Sequence, residues 1–218
     1  NELILLGSCG ENCENGKSLK LTKISNDGYT IWDKIIQIDS MNTVPEQIEI
    51  LDSGELFITG YIFDEYDLCF IKTDSNGNIL DRIIIPTEPL NLVKSTNKLS
   101  DGSVLALGTF DHKGFIRKVD PELNIVWEKY FTEVDNHPVR SLELADGSLL
   151  VLGNTFGNYH NRENCQLVLT KLNSKGEEIF QFEYGKEDHN EYGHDLVRNK
   201  DGSILIMGID QHCYTDCL

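Results

Sequence analysis

The chain has 218 residues, 36 acidic against 19 basic side chains, and a net charge of −17. Too few cations remain to neutralise nucleic-acid phosphates or to hold an anionic lipid surface, and no apolar run nears the roughly 20 residues of a membrane helix, so membrane insertion is not expected. Six cysteines are too few for a disulfide scaffold, so a packed apolar core must carry the fold.

The chain opens inside a repeat, Asn1-Glu-Leu-Ile-Leu-Leu-Gly7, as expected of a processed or excised piece. A worn copy follows at Asp52-Ser-Gly-Glu-Leu-Phe-Ile-Thr-Gly60. Three clear copies are Asp101-Gly-Ser-Val-Leu-Ala-Leu-Gly108, Asp146-Gly-Ser-Leu-Leu-Val-Leu-Gly153 and Asp201-Gly-Ser-Ile-Leu-Ile-Met-Gly208. A lysine in an apolar run keeps step at Lys23, Lys72, Lys118 and Lys171. The period suits propeller blades, and no window sustains helical periodicity over three turns.

The best-preserved unit reads as four strands: Val139–Leu144, Leu149–Leu152, Leu167–Leu172 and Glu178–Tyr184. Its second strand is apolar without alternation, as when both faces are covered. The same order fits the other units, which run approximately 1–38, 43–87, 88–133, 134–187 and 188–218. The first lacks its opening strand, and the last reads as His194–Arg198 and Ser203–Met207 only. The expectation is an all-β propeller of four-stranded antiparallel blades, four to five of them visible, with incomplete end blades belonging to a larger propeller.

The turns between third and fourth strands are Ser25-Asn-Asp-Gly28, Asp74-Ser-Asn-Gly77, Asp120-Pro-Glu-Leu-Asn124 and Asn173-Ser-Lys-Gly176. Glycine supplies a positive φ; in the third unit Asn124 is expected to take the left-handed role. Four residues after the glycine position stand Trp32, Asp81, Trp127 and Phe180. The aromatics are expected to wedge between blades, and the repeated lysines to serve structure through turn carbonyls or a solvated position.

Lys-x-Asp-x-x-Gly-x-x-x-Trp-x-Lys beside Asp-Gly-Ser-x-Leu-x-x-Gly resembles repeats of secreted bacterial β-propellers, notably Bacteroidetes surface proteins. More distantly it resembles pyrroloquinoline-quinone-type repeats, whose Gly-x-x-x-Trp docks blades. The resemblance covers nearly the whole chain and implies architecture, because propellers host many unrelated activities.

Cys9-Gly-Glu-Asn-Cys13 and Cys213-Tyr-Thr-Asp-Cys217 share one spacing. Disulfides at Cys9, Cys13, Cys213 and Cys217 are the leading reading; reduced thiols and a four-thiolate zinc site are the alternatives. Cys69 reads as a core thiol. The acidic clusters at Asp33, Asp64-Glu-Tyr-Asp67 and Glu187-Asp188 lack calcium-loop spacing, so no cofactor is expected, calcium being the one ion they could take. No hydrolase, protease, phosphate-loop or dinucleotide motif is present.

In each unit the first–second and third–fourth connections are tight, while the other two are long and irregular, and such loops carry most binding residues. All six histidines, His112, His137, His160, His189, His194 and His212, fall on or beside that end, as do Cys165, Tyr61, Phe63, Phe110, Phe156 and Tyr192. Tyr66, His112, Tyr159 and His160 are the expected binding residues. The function expected is a non-catalytic binding module, extracellular, on the cell surface or periplasmic, with a protein or glycan partner. The alternative is a carbohydrate-active or quinone-dependent propeller enzyme.

Overall fold

The computed structural model describes residues 2–9, 18–39, 41–63, 65–86, 91–110, 113–132, 136–155, 165–186 and 189–212. They form β-strands and no helix. β1 (Leu3–Cys9), β2 (Ser18–Ile24) and β3 (Thr30–Ile36) make a three-stranded sheet. Three four-stranded meanders follow: β4 (Thr43–Ile50) to β7 (Ile79–Ile85) through β5 (Leu56–Ile62) and β6 (Leu68–Thr73); β8 (Asn91–Lys98) to β11 (Ile125–Phe131) through β9 (Val104–Phe110) and β10 (Lys113–Val119); and β12 (His137–Glu143) to β15 (Glu178–Tyr184) through β13 (Leu149–Asn154) and β14 (Leu167–Leu172). β16 (His189–Arg198) and β17 (Ile204–His212) form a two-stranded ribbon. All pairings are antiparallel between chain neighbours, as the repeat predicts for propeller blades.

The chain divides into two compact units, residues 1–93 with 121–123, and residues 94–120 with 124–218. In the first, Leu19, Leu21 and Ile36 of the first sheet pack with Leu56, Ile58 and Ile71 of the second, Trp32 lying against them. In the second unit β13 explains its unbroken apolar run. Leu149 and Val151 join a core with Leu105, Leu107 and Ile116, while Leu150 and Leu152 join another with Leu196. Alternate side chains leave a strand on opposite faces, so a strand buried on both must be apolar throughout. Cys69 lies in the first unit's core, and burial pushes its thiol up to about 12 against the opposing pull of Arg82.

One end of every meander is built to a single plan. The connections at residues 51–55, 99–103, 144–148 and 199–203 are five residues long, as are those at 25–29, 74–78, 120–124 and 173–177. In the first group the turn closes through hydrogen bonds such as Gly102 N to Leu99 O at 3.0 Å and Gly147 N to Leu144 O at 2.9 Å. The aspartate of Asp-Gly-Ser accepts the serine amide, Ser103 N to Asp101 Oδ1 at 3.0 Å and Ser203 N to Asp201 Oδ1 at 2.9 Å. The repeated lysine answers the same carboxylate from the third strand, Lys118 to Asp101 at 2.5 Å and Lys171 to Asp146 at 3.6 Å. Where the turn is worn to Asp52-Ser-Gly, Lys72 donates instead to the carbonyl of Pro121 at 2.8 Å. The lysines are therefore structural.

In the second group Gly28, Gly77 and Gly176 take φ of +83°, +75° and +81°. The third turn corrects the sequence expectation: Leu123, not Asn124, is left-handed, at φ +66°. Leu123 is buried, and that burial offsets the roughly 1 kcal/mol a side chain costs there. Asn124 acts as a clamp instead, its amide nitrogens bonding Asp120 Oδ1 and Oδ2 at 2.8–3.2 Å, as Asn78 does to Asp74.

The aromatic wedge is a tryptophan lying on the next turn's glycine. Trp127 donates Nε1–H to Ser174 O at 3.2 Å, and a Cβ built on Gly176 would stand 2.7 Å from its ring. A Cβ on Gly77 would meet Trp32 at 3.4 Å. Asp81 holds the tryptophan's place in the second meander, and the following turn is the one carrying buried Leu123 rather than glycine.

Candidate functional site

At the opposite ends the expectation of long connections holds only in part: those leading from one sheet to the next, at 37–42, 86–90, 132–136 and 185–188, are six residues or fewer. The connections between second and third strands span 10–17, 63–67, 111–112 and 155–166, that is, eight, five, two and twelve residues. Of the four expected binding residues, Tyr66 is described; His112, Tyr159 and His160 lie outside the described residues, as does Phe156.

In the first unit, the loop from β5 to β6 brings Tyr61, Phe63 and Tyr66 together. The Tyr61 and Tyr66 rings stack at 5.9 Å with 16° between planes, and Phe63 lies 6.2 Å from Tyr66. Tyr66 is held at φ +58°, with its amide bonded to Ile62 O at 2.6 Å. A left-handed tyrosine carries backbone strain of the kind found at ligand-contacting loops. The residue remains 37% exposed. Burial, helped by the nearby Glu46 and Tyr66, raises the Tyr61 hydroxyl above its ordinary value, so it is a neutral hydrogen-bond donor at physiological pH.

In the second unit, the corresponding strand ends are locked by buried amides that sequence reasoning missed. Asn154 clamps Gly193 on the next sheet, accepting its N–H at 2.6 Å and donating to its carbonyl at 3.2 Å. Asn136 donates to Thr170 Oγ1 at 3.1 Å, and its own atoms crowd the Cα positions of Gly114 and Gly153. Repeat glycine Gly153 is thus required by close approach of Asn136 rather than by a positive φ. Nearby, buried Arg117 holds Glu128 at 2.8 Å and Tyr130 at 3.1 Å, and Tyr130 meets Phe110 edge-on.

His137 is buried at the head of β12. His189 and His194 lie within β16, which begins five residues earlier than the sequence suggested, with His194 at a bulge in its pairing with β17. Cys165 is also buried rather than displayed, its amide donating to Asn190 Oδ1 at 2.9 Å. Cys9 is disulfide-bonded; Cys13, Cys213 and Cys217 lie outside the described residues.

Among the described residues, His189, Glu191 and Asp210 form a group that could hold a metal ion, offering ligand atoms within 4.8 Å of one another. Hydrogen bonds from His189 and Lys186 hold the Asp210 carboxyl below the usual carboxylate range.

No family model matches the chain, and no curated protein matches it. Its structure resembles the extracellular domains 1–2 of Drosophila Semaphorin 1a, at TM-score 0.54 and 10% identity over 95% of this chain and 50% of that one. It also resembles a chain of the Drosophila Plexin A complex with Semaphorin 1b, at 0.53 and 7% over 97% and 45%. Extracellular domains 1–2 of Drosophila Semaphorin 1b match at 0.52 and 7% over 96% and 53%. The chain thus spans about half the length of these structures. Likeness at such identity establishes the β-propeller fold. Among the described residues no helix is long and apolar enough to cross a membrane.

Proposed function

We propose that this chain is a non-catalytic binding module, secreted or on the cell surface, that docks a protein or glycan through the irregular ends of its blades. The observation that carries the reading is the contrast in connections. Eight are fixed at five residues, while those between second and third strands vary from two to twelve. Loops released from structural duty on a rigid scaffold are where recognition resides. The stacked Tyr61 and Tyr66 with Phe63 supply the flat, amphipathic surface that protein and sugar ligands share. A disulfide at Cys9 fits an oxidising compartment, and the fold's occurrence in the Plexin A complex with Semaphorin 1b favours a protein partner.

The test is to probe the immobilised chain with a glycan array and a panel of extracellular protein domains. Tyr66→Ala should weaken the resulting complex by about tenfold or more, the behaviour of an aromatic anchor. Asn76→Ala and Lys175→Ala, whose exposed turn positions contribute only backbone amides to Asp74 and Asn173, should leave affinity unchanged. The reverse pattern would place binding at the five-residue turns and end this reading.

A further inference from the structure

His189, Glu191 and Asp210 are brought together by strand pairing. His189 and Glu191 stand two residues apart on β16 and so leave the same face of the ribbon. Asp210 pairs directly with Glu191 across the β16–β17 register. Two carboxylates placed opposite one another repel, and this pair is not separated by any intervening side chain in the register. Glu191 uses one oxygen to accept the Lys186 amide at 3.0 Å. Its other oxygen, Oε2, is buried without a hydrogen-bond donor. A buried carboxylate oxygen lacking a donor is costly, and a cation beside it removes that cost together with the repulsion from Asp210.

We propose that His189, Glu191 and Asp210 form a binding site for a divalent first-row transition cation, with zinc as its representative. One imidazole and two carboxylates are a donor set that suits zinc, leaving a fourth position for water or an incoming ligand. Calcium is disfavoured, because it takes six or more oxygens and no imidazole. Ligand atoms already within 4.8 Å need only side-chain rotation to reach the roughly 3.4 Å separations that bonds of about 2.1 Å impose on a tetrahedral site. Asp210 is already engaged on both oxygens, by His189 Nδ1 at Oδ1 and by Lys186 at Oδ2, 3.1 Å away; a cation would replace the first contact, and Lys186 would compete for the second.

The test is calorimetric titration of the whole chain with zinc alone. One equivalent should bind and raise the melting temperature. His189→Gln and Asp210→Asn should each weaken binding by about tenfold or more, as loss of one of three ligands requires. Lys186→Met should tighten it. Cobalt in place of zinc should give ligand-field absorption without a thiolate charge-transfer band. Calcium should not bind at comparable concentration. Unchanged zinc affinity in His189→Gln, a weaker complex in Lys186→Met, or a thiolate band would each overturn the proposal. Should His189→Gln fail to fold, Asp210→Asn on the facing strand decides the matter alone.

Discussion

The two ends of each blade obey different rules. At the turn end, every connection has the same length, and the same few side chains recur in the same bonds: aspartate to serine amide, lysine to aspartate, tryptophan to the following glycine turn. At the loop end, the connections between second and third strands differ in length from sheet to sheet, and the described residues beside them use different devices, an aromatic stack at Tyr66 in one unit and an amide clamp at Asn154 in the other. The difference teaches that repetition in this chain is a property of joints. Blade-to-blade packing repeats because each blade must present the same surface to the next, whereas the loop end carries no such obligation.

The largest effect expected at the joints is from Trp127→Ala. The ring is half-buried in the second unit's core and donates to Ser174, so its loss should cost about 3 kcal/mol in urea denaturation. If the joint is as local as the geometry indicates, Gly176→Ala should cost about 2 kcal/mol, through ring contact added to left-handed strain. Gly28→Ala has the same φ and open space around it, so about 1 kcal/mol is expected there, from strain alone. Equal losses at the two glycines would show that tryptophan docking contributes nothing.

A smaller effect is expected at the loop end. Tyr66→Gly relieves a positive φ while removing an exposed ring, so stability should change by less than about 1 kcal/mol. A loss rivalling that of Trp127→Ala would make the aromatic stack a plug rather than a recognition surface. The smallest effect concerns acid. At Asp101 burial works to raise the pKa, but hydrogen bonds from Lys118 and Ser103 outweigh it and hold the value low. A depressed folded pKa contributes stability above the unfolded value of about 3.9, lost as pH falls through the folded value. Asp101→Asn should therefore lower stability at neutral pH and flatten its decline in acid, measured as urea midpoints across that range. An unchanged acid slope would remove Asp101 from the account.

Much of the fold was legible because its determinants are local. Asp-Gly turns, glycine at fixed offsets and an apolar strand without alternation each act within a few residues. Leu123 escaped the reading because left-handed preference was judged from residue type alone, while burial of the leucine outweighed it. The candidate site was less legible. Tyr61, at the end of β5, and Phe63 and Tyr66, in the loop after it, lie within six residues, so their spacing alone groups them. His189 and Asp210 are 21 residues apart, and only the register of β16 against β17 makes them neighbours. The Asn154–Gly193 clamp spans 39 residues and has no spacing signature either. A β16 extending back to His189, through a polar stretch that read as loop, was the missing piece.

The ribbon of β16 and β17 also bears on kinetics. Every sheet here joins chain neighbours through hairpins, so the search for each pairing is short and each sheet can form early. Among the described residues β17 is paired on one side only, and Leu205, Met207 and Ile209 all lie more than half exposed on it. Amide hydrogens of β17 should accordingly exchange with solvent first, well before those of β13, which has paired strands on either side and apolar cores on both faces. Metal binding at His189, Glu191 and Asp210 should then slow exchange along β17, because a ligand bound only by the paired ribbon lowers the population of its open form.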